Sequence, residues 1–422
     1  MKIIDTLRRS GRNLKNAKVR TLLTALAIAV GGFTLTITLA ASMGAREYAD
    51  RLVTANIDPN SVIVAKDEEM FGAGTTKPKE YSNDLANIYG SLLKQLNEKD
   101  VQKLQKLPHV EYVLKDYLLS AQFITRDGAK KYTGALTVYN PAQKPPLKVG
   151  TAPEELPAGS VLLGDDYIPL LKFKSPEDAI GKTITIQVQQ ITGKTEAKQY
   201  KIAGVSTKSA LALDFVPSGV YVGQADAEAI DAFINGNTIL AGQVPTATLH
   251  SDGKIAAKDL KQKAIDAGYA ARTPEDIQAL LNQIITVLQG IIVVFGLITL
   301  IASFFGVVNT QYISVLERTR EIGLMKALGM SRKGVSRLFI VEATWIGFLG
   351  AALGAALAIG VGTAMNPWIS KKLNFGSESL LIFSPLQIVG LILFLMFITT
   401  LAGLLPARKA AKLDPIEALR TE

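Results

Sequence analysis

The sequence contains no cysteine and only two histidines, His109 and His250. The lack of cysteine excludes a disulfide framework, a thiolate metal site and a thiol nucleophile. Because the two histidines are far apart in sequence, we interpret each as a surface or strand residue and predict no metal site. The chain therefore lacks much of the side-chain chemistry on which thiol enzymes and metalloenzymes depend.

Recognisable catalytic motifs are absent as well. The sequence has neither a G-x-S-x-G nucleophile elbow nor an H-E-x-x-H zinc motif, and the neighbouring carboxylates Asp165 and Asp166 stand in turn-like sequence without a visible partner. The stretch GAGTTKPK, residues 72–79, lacks the final Lys-Ser/Thr of a phosphate-binding loop. We therefore predict no catalytic residues and no enzyme activity in this chain.

Long hydrophobic runs are what the sequence does have, and 48% of its residues are hydrophobic. A membrane-spanning helix needs roughly 20 apolar residues. Four runs qualify, at residues 21–42, 284–309, 338–364 and 385–405. The first run is longer than the apolar core of a usual signal peptide, so we favour a retained anchor over a cleaved leader. We predict a membrane protein of four transmembrane α-helices, with a large α+β extracytoplasmic domain, residues 43–283, between helices 1 and 2.

Basic residues are concentrated next to these runs. Residues 1–20 and 310–337 are rich in lysine and arginine, whereas residues 43–283 carry nearly equal numbers of basic and acidic residues. Because cytoplasmic loops carry an excess of lysine and arginine, we place both termini, including the tail 406–422, in the cytoplasm, with a short outer loop at 365–384. The formal net charge of +9 then requires no nucleic-acid partner.

The first 20 residues have an amphipathic pattern. Ile3, Leu7, Ser10 and Leu14 share one helical side, and basic residues surround the rest. This pattern predicts a helix that lies in the cytoplasmic membrane interface. A disordered basic leader that only satisfies the orientation rule is the alternative.

The inserted domain shows two kinds of pattern. A strand SVIVA, a helix NEKDVQKLQKL and a strand VEYVLKDYLLSAQFIT form one β-α-β unit, and TATLH, KIAAKDLKQKAIDAG and YAART form another. Residues 43–125 and 241–283 are therefore predicted to form a porter-like β-α-β subdomain. Between them, residues 126–240 contain the strand-like runs TGALTVYNP, GSVLLG, IGKTITIQVQQ and KQYKIAGVS, which predict a β-rich inserted subdomain. Residues 66–84 lack periodicity and are interpreted as a mobile loop.

The third run carries small residues at four-residue spacing, which predicts a stripe where another helix approaches closely. The stripe consists of Gly350, Gly354, Ala358 and Gly362. The alternative is that glycine is merely tolerated there. Glu342 lies about one turn into the run, where its carboxylate can reach the headgroups or bond the preceding charged stretch.

That charged stretch, LERTREIGLMKALGMSRKGVSR, residues 316–337, interrupts the hydrophobic sequence between the second and third runs. Arg318 and Glu321 can pair at i,i+3, Gly329 can end a helix, and Ser331 can cap a second short helix that leads into the third run. An apolar patch inside this charged frame is typical of a docking surface for another protein. We assign the patch to four residues, Ile322, Leu324, Met325 and Leu328.

Three segments carry a resemblance to a known family. ERTREIGLMKALGMSRKGVSRLFIVEA, NLKNAKVRTLLTALAIAVG and LLPARKAAKLDPIEALR resemble segments of the FtsX-like permeases, in the MacB-type branch of ABC transporters. The resemblance implies a permease subunit in a bacterial plasma membrane, whose charged stretch is a coupling helix that sits in a groove of an ATPase. Carried onto this chain, the implied contacts are Glu317, Arg318, Glu321, Ile322, Gly323, Met325, Lys326, Ala327 and Gly329.

The resemblance also implies partners and cofactors. No Walker A motif occurs in the sequence, so ATP and Mg²⁺ are expected in a separate cytoplasmic ABC ATPase subunit and no cofactor in this chain. A family-like machine would contain a second permease copy, identical or paralogous, and an outer adaptor or membrane-fusion protein is a further expected partner. The cargo implied is a drug, a peptide or a lipid-linked protein that is exported or handled outside the membrane by mechanotransmission.

Two rival hypotheses remain. An FtsX-like scaffold would activate a cell-wall hydrolase without moving any cargo, although the large two-part inserted domain favours the MacB branch. A soluble enzyme tethered by the spans would need a catalytic cluster, which the sequence does not provide.

Overall fold

The computed structural model describes residues 18–71, 85–88, 91–190, 192–207, 219–236, 238–372 and 379–420. The chain divides into two compact units, which we call the helical unit (18–48, 282–372 and 379–420) and the α/β unit (within 49–281). Most of the predicted interfacial helix at residues 1–20 and most of the predicted mobile loop at residues 66–84 lie outside the described residues.

Helices account for most of the helical unit and part of the α/β unit, and one 3-10 turn occupies Glu68–Phe71. The helices are α1 (Lys18–Asn56), α2 (Glu98–Gln105), α3 (Tyr167–Leu170), α4 (Pro176–Ala179), α5 (Gln224–Asn235), α6 (Ala257–Asp266), α7 (Pro274–Glu317), α8 (Thr319–Ala327), α9 (Arg332–Lys372), α10 (Pro385–Lys412) and α11 (Pro415–Arg420).

The strands found among the described residues lie in the α/β unit. They are β1 (Ser61–Ala65), β2 (Leu85–Ile88), β3 (Ser91–Lys94), β4 (Leu96–Asn97), β5 (Val110–Asp116), β6 (Leu119–Thr125), β7 (Tyr132–Val138), β8 (Leu147–Gly150), β9 (Ser160–Gly164), β10 (Thr183–Gln189), β11 (Thr195–Ser206), β12 (Val220–Val222), β13 (Gln243–Val244), β14 (Thr246–Ser251) and β15 (Ala270–Arg272).

Four of the described helices, α1, α7, α9 and α10, are long and apolar enough to cross a membrane. Each contains one of the four predicted runs, so the prediction of four transmembrane helices is confirmed. α7 has 44 residues, which corresponds to about 66 Å, roughly twice the hydrocarbon thickness of a bilayer. α9 continues through Pro367 to Lys372, so residues 365–372, which we predicted to be an outer loop, are helical.

The small residues of α9 lie where other segments of the helical unit come closest. α1 packs on Gly350 and Gly354, and a Cβ added at Gly350 would lie 2.7 Å from the Ala25 carbonyl oxygen. At Gly354 the three nearest atoms all belong to the backbone of α1, so nothing could move aside there for a larger side chain. Gly360 lies outside this stripe, and a Cβ there would have no neighbour within 4 Å. Two more members of the stripe are buried, Ala358 and Gly362.

The first sheet of the α/β unit has four antiparallel strands in the order β15-β1-β14-β5, and residues of α2 and α6 share its core. The chain order is β1-α2-β5 and β14-α6-β15, so the two predicted β-α-β units are confirmed. Asn97 caps α2 by accepting a hydrogen bond from the Asp100 N–H at 3.0 Å. This is the split β-α-β arrangement of ferredoxin-like folds.

The second sheet runs β10-β6-β7-β12-β9-β11-β8, and an additional pairing of β10 with β11 closes it on itself. The four predicted strands of the inserted subdomain correspond to β7, β9, β10 and β11. β6 also belongs to this sheet, so the predicted subdomain boundary at residue 125 is wrong. The chain passes from one sheet to the other at Tyr117 and Leu118, in the middle of the run that we read as one strand.

Both histidines lie in the α/β unit and each faces an aspartate. His250 is buried in β14, with its Nδ1 3.1 Å from Asp58 Oδ2, and its ring stacks on Tyr112. Burial lowers the pKa of His250, and the Asp58 carboxylate partly opposes this shift. His109 Nδ1 lies 3.2 Å from Asp252 Oδ2. Within the described ranges, no group of three or more potential ligand side chains could hold a metal ion.

Candidate coupling site

The charged stretch folds into α8, a nine-residue helix that begins after Arg318, where the helical conformation of the backbone is interrupted. α7 ends at Glu317, and the backbone dihedrals of Arg318, φ −108° and ψ 16°, are not those of an α-helix. The Thr319 hydroxyl donates to the Leu316 carbonyl at 2.8 Å and to the Val315 carbonyl at 3.0 Å. These bonds satisfy carbonyls at the end of α7 and fix the start of α8.

α8 ends in a Schellman motif at Gly329, as the glycine at this position predicted. Gly329 has a φ of +93°, a conformation that is strained for residues with a Cβ. The Met330 N–H donates to the Met325 carbonyl at 2.9 Å, and the Gly329 N–H donates to the Lys326 carbonyl at 3.0 Å. The predicted helix end is therefore confirmed.

Ser331 caps the next helix, because its Oγ accepts from the Gly334 N–H at 3.2 Å. The predicted cap is confirmed. The predicted second short helix is not separate, since α9 runs without interruption from Arg332 into the third apolar run.

One side of α8 is packed inside the helical unit. Ile322 is fully buried and Met325 nearly so. They share a core with Val315 of α7, Phe339 of α9 and Ala407 of α10. Burial of a side chain of this size stabilises by roughly 1.5–3 kcal/mol, so these two residues hold α8 firmly on three long helices.

The C-terminal helix α11 packs directly on α8. A Cβ added at Gly323 would lie 2.8 Å from Ala418 Cβ, so the glycine allows this close approach. Ala418 is buried as well. The Lys326 ammonium donates to the carbonyls of Ala411 and Leu413, at the end of α10. Lysine at this position therefore satisfies free carbonyls of a helix terminus and ties α8 to the tail.

Charged side chains attach the start of α8 to α9. Arg318 donates through Nη1 to Glu342 Oε1 at 3.0 Å and through Nε to Glu321 Oε2 at 3.2 Å. The Glu342 side chain is only 3% exposed and that of Arg318 is 18% exposed. Burial lowers the pKa of Arg318, but the carboxylates of Glu342 and Glu321 outweigh it and raise that pKa above its usual value. Two predicted contacts of the charged stretch are therefore confirmed. Arg318 pairs with Glu321, and Glu342 bonds the stretch through Arg318.

A second ion pair lies at the end of α7, where Arg20 of α1 pairs with Glu317. Glu317 is well exposed, so this pair is weak compared with the buried one. It nevertheless links the first helix to the residue that precedes the coupling helix.

The opposite side of α8 is exposed and mixes both charge signs with two leucines. Leu324 is 53% and Leu328 is 80% exposed. We call this surface the coupling face, and it consists of Glu317, Arg320, Glu321, Leu324, Ala327 and Leu328. Next to it, α11 exposes Ile416 and Leu419.

The structure divides the nine predicted contact residues into two groups. Exposed are Glu317, Glu321, Ala327 and Gly329. Partly or fully buried are Arg318, Ile322, Gly323, Met325 and Lys326. The nine contacts implied by the resemblance leave out Arg320, Leu324 and Leu328, although Leu324 and Leu328 belong to the predicted docking patch. The three residues are spaced by four, which places them on one side of α8.

Comparison with known proteins agrees with the resemblance noted from the sequence. The family model of the MacB-like periplasmic core domain matches residues 21–265, more than half of the chain, and that of the FtsX-like permease C-terminal domain matches residues 293–415. The chain is 36% identical over 175 residues to the uncharacterized ABC transporter permease YknZ of Bacillus subtilis, which covers 41% of this chain and 42% of that protein.

A second relative is the macrolide export ATP-binding/permease protein MacB of Shewanella oneidensis, 39% identical over 127 residues, 30% of this chain and 18% of that protein. The matched segments thus span less than half the length of either relative. Among solved structures, the periplasmic region of MacB from Actinobacillus actinomycetemcomitans aligns with 53% of this chain and 94% of that one, at 13% identity and a TM-score of 0.34. By its two family matches, the chain belongs to the family that joins a MacB-like periplasmic core domain to an FtsX-like permease C-terminal domain.

Proposed function

We propose that this protein is the permease subunit of an ABC transporter and that the coupling face docks into a groove of a separate cytoplasmic ATPase subunit. The observation that carries the proposal is the two-sided construction of α8, with Leu324 and Leu328 exposed on one side and Ile322 and Met325 buried on the other. Exposed leucines framed by both charge signs suit a protein groove with an apolar floor and a polar rim.

The buried side of α8 supports a mechanical role for this contact. A force applied to the coupling face reaches α9 through the Arg318–Glu342 pair and the tail through Lys326 and Gly323. The α/β unit lies in sequence between α1 and α7. We propose that ATP-driven closure of two ATPase subunits moves these helices and thereby the α/β unit, which is mechanotransmission.

The membrane orientation and the partners follow the same proposal. The coupling face must lie in the cytoplasm, where ATP is available, so both termini are inside a bacterial plasma membrane and the α/β unit is outside. A second permease copy, identical or paralogous, would cover part of the apolar surface that α7 exposes. Cargo such as a drug, a peptide or a lipoprotein would be exported or handled at the α/β unit, with an outer adaptor as a further partner.

The test is purification of the full chain in mild detergent after expression in its own host. A polypeptide with a Walker A motif should co-purify with the wild-type chain, and the wild-type chain should stimulate its ATP hydrolysis. Leu324→Asp together with Leu328→Asp should abolish both, because two charges would enter an apolar groove. Leu118→Asp, at a similarly exposed leucine of the α/β unit, is the matched control. Unchanged capture and stimulation by the double variant would refute the proposal.

The scaffold hypothesis gives a different result in the same purification. It expects a cell-wall hydrolase bound through the α/β unit and no cargo. The match of residues 21–265 to the MacB-like periplasmic core domain favours the transporter.

A further inference from the structure

An apolar slot opens between α9 and α10 on a side of the helical unit that the coupling site does not use. Its volume is about 320 Å³, and it is lined by Val341, Thr344, Trp345 and Phe348 of α9 and Met396 of α10. Thr344 and Thr400 join the two helices through their hydroxyl oxygens, 2.8 Å apart. The Trp345 ring meets that of Phe348 edge to face at 5.8 Å.

The slot lies inside the membrane-spanning segments. Val341, Phe348 and Met396 offer no hydrogen-bonding nitrogen or oxygen, and the Thr344 hydroxyl is already bonded to Thr400 and to the Ile340 carbonyl. Among the described residues that line the slot, the buried Trp345 Nε1–H is a donor without a partner, and one donor is fewer than the two to four polar partners that a buried water needs. An apolar cavity of about half this volume stays dry and takes up small apolar ligands. Water is therefore an unsuitable occupant, and a hydrocarbon chain is a suitable one.

The residues around the slot favour a flexible chain over another helix. Helices approach closely in membranes where small residues line the contact. The small residues Gly350 and Gly354 of α9 already pack on α1. The slot is lined instead by bulky side chains, Trp345, Phe348 and Met396, with space left between them.

Two basic residues lie on the side of α9 that carries Thr344, nearer to the coupling helix than the slot is. Arg337 and Lys333 precede Thr344 by seven and eleven residues, which places all three on one helical side. At 1.5 Å per residue they lie about 10 and 16 Å from Thr344 along the helix axis. Both basic side chains are exposed. The distance from a phospholipid headgroup to the middle of its acyl chain falls in the same range.

We propose that this slot binds one acyl chain of an anionic phospholipid whose phosphate contacts Arg337 and Lys333. The lipid would belong to the leaflet on the coupling-helix side. It would lie along the first turns of α9, the helix to which Arg318 attaches the coupling helix through Glu342. The proposal is independent of the ATPase, since its residues are not part of the coupling face.

Trp345 supplies the probe for a test. The chain has two tryptophans, so Trp368→Phe leaves Trp345 as the only one. The full chain would be placed in phosphatidylcholine bilayers that contain a minor fraction of acyl-brominated phosphatidylglycerol, or of acyl-brominated phosphatidylcholine as the reference. Bromine quenches indole fluorescence on contact, so quenching reports which lipid occupies the slot.

Brominated phosphatidylglycerol should quench Trp345 at a fraction on the order of tenfold lower than brominated phosphatidylcholine, because two basic residues attract the anionic headgroup. Lys333→Gln with Arg337→Gln should abolish this preference. In the matched control, Trp345→Phe, the remaining exposed Trp368 near the other end of α9 should show no preference.

Equal quenching by the two lipids in the wild-type slot would overturn the anionic specificity, and so would a preference that survives the double glutamine variant. No quenching by either lipid would overturn the lipid proposal altogether, because it would mean that a protein segment fills the slot. Val341→Phe, which fills the slot from within and leaves Trp345 as the only tryptophan of the Trp368→Phe chain, should lower quenching at Trp345 without preventing insertion of the protein.

Discussion

Replacing Glu342 by glutamine removes the carboxylate that faces Arg318 across a buried contact. The two side chains are joined at 3.0 Å, with 3% of Glu342 and 18% of Arg318 exposed. Glu342→Gln keeps the size of the side chain and one acceptor oxygen, so it tests the charge and not the packing. Arg318 would retain Glu321, whose side chain is 67% exposed and whose pairing energy is therefore small.

The free-energy cost of Glu342→Gln follows from the burial of the Arg318–Glu342 pair. Removing one partner of a buried ion pair costs about 3–5 kcal/mol, because the other charge stays buried without compensation. Since Arg318 is partly exposed, we expect the lower end, about 3 kcal/mol. This loss would appear as local opening of α8, and 3 kcal/mol corresponds to on the order of a hundredfold in an opening equilibrium.

The assay is amide hydrogen exchange of the full chain in detergent, read on peptides that cover residues 319–327. Exchange in Glu342→Gln should be about a hundredfold faster there than in wild type, and unchanged in the α/β unit. The matched control is Glu317→Gln, which breaks the exposed pair with Arg20 and should change exchange by less than about fivefold. Equal exchange of α8 in wild type and Glu342→Gln would refute the idea that this pair holds the helix.

Three further predictions address other parts of the molecule. Gly354→Leu should cost about 3 kcal/mol or more by pushing α1 away and should reduce the monodisperse fraction in size-exclusion chromatography, whereas Gly360→Leu should behave as wild type. Burial raises the pKa of Asp116 from 3.8 to about 6, so the folded state loses stability as the pH rises from about 4 to about 6 and loses no more above that; Asp116→Asn should slow hydrogen exchange of β5 and β14 at pH 8 and have no effect at pH 4. A membrane-impermeant maleimide should label Glu196→Cys in intact cells and Arg320→Cys only after permeabilisation, and the opposite pattern would reverse the orientation.

The elements that the sequence predicted well are those set by local chemistry. Hydropathy predicted all four long helices, because a run of about 20 apolar residues fits few structures other than a membrane-spanning helix. Gly329 predicted the end of α8 and Ser331 the start of α9, because both act through their own backbone or side-chain geometry.

The elements that the sequence predicted poorly depend on contacts far along the chain. Ile322, Leu324, Met325 and Leu328 were read as one docking patch, yet they form two opposite sides of a short helix. The helical period separates the two pairs but cannot say which pair is buried. That choice is made by α10 and α11, about 80 to 100 residues downstream, whose small side chains at Ala407 and Ala418 receive α8.

The same limitation explains the misplaced subdomain boundary. β5 and β6 are separated only by Tyr117 and Leu118, and both strands are rich in β-branched and apolar residues. Strand propensity shows that such residues fit a sheet but carries no information on which sheet pairs with them. Only the pairing of β5 with β14 and of β6 with β10 and β7 separates the two subdomains.

The charge of residues 316–337 thus serves two physical purposes that composition cannot distinguish. Arg332, Lys333 and Arg337 are exposed and can act on a membrane surface, where lysine and arginine are nearly equivalent. Arg318 uses Nη1 for one carboxylate and Nε for another, a planar fork that a lysine ammonium cannot reproduce on its flexible stem. Arg318→Lys would therefore keep the charge that orients the chain and still lose the contact that holds α8 on α9, whereas Arg332→Lys would change neither.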